Sequence, residues 1–288
     1  MALIIGFVLI MAFISIPYFR CIVLHPIHVV FYAIKDMWKY VHYCRWREYR
    51  GYGTLSIFNG LFGKGKTLSS TIYGRKIYKR YNGKKVFDFK EKKWKTQYIK
   101  LVSNVAILDC PYMKLNSLND ITKLTEHNDG VSVWVVCVDE MSTQVNSREY
   151  KTNFSTDLLN VLLTCRHYRM QMIGSAQRFA HVDALVRQVT ANAIECKKFW
   201  RLLQWDIYDA WTVENTTDIT KIKPRKRKCI FVTDSDFNAY DTVACVESFK
   251  KNVLEGKHLT DKEIMDFQTN AENELSLNMK RKYRKKIK

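Results

Sequence analysis

The chain has 288 residues, 47% of them hydrophobic, which suits one substantial α/β domain with a smaller appendage and sets disorder aside as the default state. Its formal net charge of +19 exceeds what solubility requires and selects for a polyanionic partner, nucleic acid or an anionic membrane surface. The eight cysteines, Cys21, Cys44, Cys110, Cys137, Cys165, Cys196, Cys229 and Cys245, form no C-x-x-C pair, which argues against zinc sites and a disulfide framework.

From Ala2 to Phe19 the chain is apolar apart from Ser15, just long enough to span a bilayer. No basic residue precedes this run and no A-x-A-like cleavage site follows it, so a membrane anchor is expected rather than a signal peptide. After Arg20 a second apolar run, Cys21 to Ile34, either continues the span, lies in the interface or packs on a partner, and Pro17 and Pro26 both invite kinks. Lys35, Lys39, Arg45, Arg47 and Arg50 follow, with Trp38, Tyr40, Tyr43, Trp46 and Tyr49 among them, the pattern of a helix leaving the membrane on its cytoplasmic side. The expectation is a single pass in the host cytoplasmic membrane with the rest of the chain in the cytoplasm. The plainer alternative is a buried helix of a soluble domain.

Gly51 to Gly53 forms a linker, and Thr54 to Asn59 reads as the first core strand. Directly behind it Gly60, Leu61, Phe62, Gly63, Lys64, Gly65, Lys66 and Thr67 match G-x-x-x-x-G-K-[ST] at every fixed position. Glycines let backbone N–H groups wrap phosphates, Lys66 reaches the β and γ oxygens, and the Thr67 hydroxyl ligates Mg²⁺. A helix is expected from Thr67 to Tyr81, ending near Asn82 and Gly83, so Leu68 lies in its first turn and the helix dipole adds to the phosphate site. A glycine turn beside a surface lysine is the bland reading, and the strand and helix on either side oppose it. ATP and Mg²⁺ are the expected ligands.

Val86 to Phe89 reads as a short strand, Val102 to Leu108 as another, Leu115 to Leu124 as a helix, and Val131 to Val138 as a central parallel strand. That last strand ends in Asp139 and Glu140. Downstream of a phosphate loop such a pair suits hydrolysis: Asp139 for the Mg²⁺ shell, Glu140 to orient and deprotonate the attacking water. Without the loop, a solvated strand cap would be the simpler account. Thr156 to Tyr168 reads as a helix and Met170 to Ala176 as the next strand, delivering Gln177 at its C-terminal end, where it either senses the γ-phosphate or caps the next helix. Arg166, Arg169, Arg178 and Arg187 surround this strand; Arg187 is the favoured arginine finger, against its reading as an ordinary exposed helix residue. Beyond Glu195, Ala193 to Tyr208 suggests a strand pair, Ile230 to Thr233 a strand and Asp236 to Lys251 a helix, with no catalytic constellation.

The ordered set of an N-terminal anchor, GLFGKGKT, VWVVCVDE at Val133 to Glu140, the polar stretch through Asn146, Ser147 and Arg148, and IGSAQ at Ile173 to Gln177 resembles the zonular-occludens-toxin-like ATPases of filamentous-phage assembly, related to the FtsK/HerA DNA-pumping motors. The resemblance covers roughly Thr54 to Trp200. It implies an α/β, RecA-like P-loop NTPase core with a central, mostly parallel sheet, here preceded by an N-terminal transmembrane helix; ATP hydrolysis; a homo-oligomeric ring such as a hexamer; and action on phage or plasmid DNA at a membrane. One departure is that the family's span follows the ATPase domain, whereas the apolar run here comes first, a layout closer to a membrane-anchored coupling or transfer ATPase. The expected division is 1–50 for anchor and juxtamembrane segment, 51–253 for the ATPase domain and 254–288 for a basic helix or tail.

Basic residues cluster at Arg75 to Lys100, Lys221 to Lys228 and Met279 to Lys288, and each cluster suits a phosphate backbone. Tyr73, Tyr78, Tyr81, Trp94 and Tyr98 interleave with the first, compatible with base stacking or with routine surface packing. Anionic lipid competes with DNA for the C-terminal tail. Two functions stay open: a motor that moves DNA, single- or double-stranded, or an ATP-dependent assembly protein acting on phage coat or secretion proteins at the membrane.

Overall fold

The computed structural model describes residues 1, 13–141, 156–216, 218, 221–241 and 259–270, in two compact units. The apolar run Ala2 to Phe19 is therefore described only from Phe13 onward, and Asn146 to Arg148, the tail Met279 to Lys288 and most of the segment 254–288 lie outside the described residues.

The first unit comprises Met1–Glu48 and Val86–Trp94. Its helices Pro17–Leu24 and Pro26–His42 each begin with proline in the first turn, where the missing N–H is not needed, and neither buries a residue. They meet at 95° around His25. Among the described residues no single helix is long and apolar enough to cross a membrane; this bent pair passes the same test by length and composition only. Tyr43, just past the second helix, packs its ring 4.4 Å from Phe87 and 5.0 Å from Phe89, and the Arg45 guanidinium stands 5.4 Å over Phe89.

The second unit, Tyr49–Lys85 and Lys95–Lys288, carries the sheet. Among the described residues the strands are, in chain order, β1 (Leu55–Asn59), β2 (Lys84–Asp88), β3 (Lys93–Gln97), β4 (Ile99–Ser103), β5 (Ala106–Ile107), β6 (Tyr112–Lys114), β7 (Val133–Val138), β8 (Met170–Ala176), β9 (Asn192–Phe199), β10 (Leu202–Asp209), β11 (Lys226–Phe231) and β12 (Tyr240–Asp241). Eight form one sheet in the order β11-β10-β9-β1-β8-β7-β4-β6. From β9 to β6 the pairing is parallel, and β10 and β11 extend it antiparallel.

The apolar run of β7 follows from burial on both faces, because alternate side chains point to opposite sides of a strand. Val133, Val135 and Cys137 join the core under the helix Lys66–Tyr81, while Trp134, Val136 and Val138 join the core under the helices Asp120–Glu126, Thr156–Thr164 and Ala184–Val189. The helix Lys66–Tyr81 buries Leu68, Ile72 and Ile77, each contributing about 1.5–3 kcal/mol. The mixed α/β architecture with a large, mostly parallel sheet is as the sequence implies.

Three elements differ from their sequence readings. The strand expected from Val102 to Leu108 is β4, which begins at Ile99 and stops at Ser103, because the Asn104 side chain turns toward Asp139; β5 is separate and pairs with β12. The short strand expected at Val86 to Phe89 is present as β2, which pairs with β3 outside the main sheet. The helix expected from Leu115 starts at Asp120, whose carboxylate accepts the Ser117 N–H at 2.9 Å and closes a turn that buries Leu115 and Leu118. The helix expected from Asp236 to Lys251 is, among the described residues, a single turn, Asp234–Phe237, closed by a Thr233/Asp236 capping box and followed by β12; 242–258 lie outside the described residues.

Candidate nucleotide-binding site

β1 ends at Asn59 and the loop Gly60 to Gly65 leads into the helix Lys66–Tyr81. Gly65, the N-cap, has φ 77°, and a Cβ there would stand 2.8 Å from Leu203 Cδ2, so both conformation and space require glycine. The first helical bond runs from the Ser69 N–H to the Gly65 carbonyl, which leaves the N–H groups of Lys66, Thr67 and Leu68 at the open end of the helix, the arrangement that binds phosphate. Leu68 itself packs in the core, so its part in binding is its backbone N–H. Leu61, Phe62, Gly63 and Lys64 are exposed at the loop's tip. The Lys66 ammonium folds over the loop, 3.4 Å from the Leu61 carbonyl oxygen and 5.7 Å from the Phe62 ring centroid.

The acid pair meets this loop through one side chain. The Thr67 hydroxyl donates to the Asp139 carboxylate, with its oxygens at 2.9 and 3.1 Å. Asp139 also accepts from the Ser175 hydroxyl of β8, its N–H donates to Asn104 Oδ1 at 2.7 Å, and the Asn104 amide donates to its carbonyl at 3.1 Å. The following Glu140 is exposed, has φ 49° and donates its N–H to Ser175 Oγ at 3.1 Å. Ser175 and Asn104, both missed in the sequence, are polar residues at the C-terminal ends of apolar strands, and that position was the available signal. Tyr240 of β12 lies close enough that burial, aided by the Asp139 charge, pushes its phenol pKa up. We expect Ser175→Ala to lower ATP turnover about tenfold to hundredfold with nucleotide affinity unchanged, since a bond to a charged group is lost behind the site; steady-state kinetics with an equilibrium titration checks it.

Hydroxyl and carboxylate are hard oxygen donors, so Thr67 and Asp139 suit Mg²⁺ completed by phosphates and water. Among the described residues no cluster of three His, Cys, Asp or Glu side chains offers another metal site. Gln177 and Arg187 open instead on a neighbouring cleft of about 1040 Å³, together with Gly60, Leu61, Lys64 and Arg178. Arg187 is engaged on three sides: its Nε lies 2.6 Å from Glu214 Oε2, and its Nη1 donates to the Val182 and Ala180 carbonyls at 2.6 and 3.0 Å. Arg178 is exposed. Arg169 is turned to Tyr52, its guanidinium 4.4 Å over that ring.

The ends of the basic cluster Arg75 to Lys100 are core residues rather than surface. Arg75 is 3% exposed and bound by Asp109 and Asp236, and Lys100 is 5% exposed with its ammonium 4.7 Å over the Trp134 ring.

β8 stands between the loop strand β1 and the acidic strand β7, and it supplies both Ser175, which touches Asp139, and Gln177. A phosphate loop, an acid pair two strands away and this interposed polar strand define a P-loop nucleoside-triphosphate-binding protein with a RecA-like core. The fold is similar to the N-terminal domain of zonular occludens toxin from Neisseria meningitidis, 13% identical, covering 65% of this chain and 98% of that one, with a TM-score of 0.45. It is similar also to the genome packaging NTPase B204 of Sulfolobus turreted icosahedral virus 2 in complex with ATP-γS (13% identical, 63% and 98% covered, TM-score 0.39) and to B204, the DNA-packaging ATPase of Sulfolobus turreted icosahedral virus (11% identical, 64% and 100% covered, TM-score 0.41). The class itself rests on the loop, the acids and the strand order. No protein-family model and no curated protein matches the chain.

Proposed function

We propose that the chain is a Mg²⁺-dependent ATPase, anchored in the cytoplasmic membrane by its N-terminal segment, that couples hydrolysis to DNA movement in phage or plasmid DNA export, assembly or packaging. The observation that carries the reading is the bond from Thr67, at the end of the phosphate loop, to Asp139, with Glu140 next in the chain. When bound, Mg²⁺ neutralises phosphate charge and fixes the γ-phosphate for in-line attack. Thr67 and Asp139 hold that ion, Lys66 and the backbone N–H groups of the loop hold the phosphates, and Glu140 takes the proton of the attacking water. A net charge of +19 and the order of motifs support DNA as the substrate. The exposed apolar surface of Pro17–Leu24 and Pro26–His42 supports membrane attachment. In a ring of copies Arg178 and Arg187, both on the cleft beside the loop, are the candidate fingers for a neighbour's site.

A second reading, an ATP-dependent assembly protein acting on phage coat or secretion proteins, draws on the exposed rings of Phe199, Trp200, Trp211 and Phe231. Steady-state ATP hydrolysis by the detergent-solubilised chain, with and without single- or double-stranded DNA and with Lys66→Ala as blank, separates the two. Stimulation by DNA is the expected result; turnover indifferent to both forms transfers the proposal to the second reading.

A further inference from the structure

Strand β11 carries cations on both faces, and the two faces are treated differently. Arg227 points to the side where Asp206 lies, 3.3 Å from its Nε, and the same carboxylate takes Lys197 at 2.9 Å. Lys226 and Lys228 pair with Ile207 and Trp205 of β10 and so share the opposite face, that of the helix Lys66–Tyr81. There they rim a groove of about 310 Å³ together with Arg225, and among the described residues no carboxylate lines it. Burial lowers the Lys228 pKa, and the neighbouring charges that lower it further, Lys226 and Lys76, are themselves cations.

The floor of this groove is aromatic. Phe58 and Trp205 are buried, and Tyr73 stands beside them half-exposed, its ring 5.9 Å from each. The Gln171 amide reaches the Tyr73 hydroxyl at 3.4 Å, so the ring is held from behind as well as from the side. Ser56 and Asn192, bonded to each other at 3.2 Å, add polar groups to the lining. Uncompensated cations around a concave aromatic floor fit a flexible chain of phosphates that can turn a base inward; a rigid duplex presents only its backbone to such a hollow.

We propose that the groove between β11 and the helix Lys66–Tyr81 binds a single strand of nucleic acid, with phosphates on Lys76, Lys226 and Lys228 and one base stacked on Tyr73. This deepens the DNA-directed reading and rests on it. Because Tyr73 and Lys76 belong to the helix that begins at the phosphate loop, an occupied groove bears directly on the element that holds ATP.

The test uses the full chain in detergent and a fluorescent oligo(dT) of about 20 nucleotides, longer than the site of a single binding module, with anisotropy read across salt concentrations. Lys226→Gln/Lys228→Gln should weaken binding about tenfold or more and lower the salt slope by about 1.4, at about 0.7 per phosphate contact, with basal ATP hydrolysis unchanged. Lys84→Gln/Lys85→Gln, an equal change of charge on exposed strand residues, should have a smaller effect; equal losses in the two double variants overturn the site. Tyr73→Leu should weaken oligo(dT) binding about fivefold to hundredfold while leaving inorganic polyphosphate binding intact, and equal weakening of both overturns the base seat. Displacement of the oligonucleotide by phosphatidylglycerol in the micelles overturns the proposal in favour of a lipid headgroup. If the wild-type chain binds neither single strands nor duplex, the DNA reading itself falls; if it binds oligo(dT) and the β11 variant binds as tightly, only the groove falls.

Discussion

Glu140→Gln will bind ATP with unchanged affinity and hydrolyse it about 10²–10⁴-fold more slowly, the range that a positioned general base contributes. The substitution keeps the shape and the exposed position of the side chain and removes only its capacity to accept a proton. The backbone should not move, because the left-handed turn at φ 49° is held by the Glu140 N–H on Ser175, and glutamine bonds there as glutamate does. Such a conformation costs on the order of 1 kcal/mol in a residue with a Cβ, and it is maintained where the neighbouring residues fix it. A titration with a fluorescent ATP analogue beside single-turnover hydrolysis reads the two quantities separately. Normal hydrolysis by the variant would remove Glu140 from the chemistry and leave Asp139 as the sole acid of the site.

Arg75→Leu should lower stability by about 2–3 kcal/mol without touching the phosphate loop. Arg75 leaves the helix Lys66–Tyr81 almost wholly buried and binds two carboxylates, Asp109 through Nε at 2.6 Å and through a second nitrogen, and Asp236 at 2.9 Å. Full burial of the carboxylates would raise the loss, but Asp109 and Asp236 are 29% and 22% exposed and water recovers part of it. Burial pushes the Asp109 carboxyl up, but the hydrogen bonds from Arg75 and Lys79 outweigh it and hold the pKa at about 2 against an ordinary 3.8. A lowered carboxylate pKa stabilises the fold above its ordinary value, and that contribution is lost as the pH falls from about 4 toward 2. The wild-type chain should therefore lose stability through that window more steeply than the variant. Denaturation midpoints followed by tryptophan fluorescence at neutral pH and at two points between about pH 4 and pH 2 check both the loss and its pH dependence.

The parts of the protein legible in its sequence are those in which local chemistry dictates the residues. The phosphate loop needs its glycines, lysine and threonine in fixed places, and β7, covered on both faces, needs an unbroken apolar run. Arg75 was not legible, because its partners lie 34 and 161 residues away and nothing beside it in the chain distinguishes a buried cation from the surface lysines that follow. Ser175 and Asn104 were hidden for a related reason: a small polar residue at a strand end is common, and only the fold brings these two to Asp139. The bend at His25 was foreseeable from Pro26, whereas the one-turn helix Asp234–Phe237 depends on a capping box that closes over two bonds to Asp236.

The two borders of the main sheet are unlike in length and alike in effect. β6 offers only three residues to a newcomer, and β11 presents Lys226, Arg227 and Lys228 along a strand that is exposed for most of its length. A strand from another molecule would have to bring its backbone against that row of like charges or find a footing on three residues. Among the described residues the sheet is thereby closed to growth at both ends, which guards a β-rich chain against fibrous self-association and leaves loops and helices as the surfaces for contact between copies.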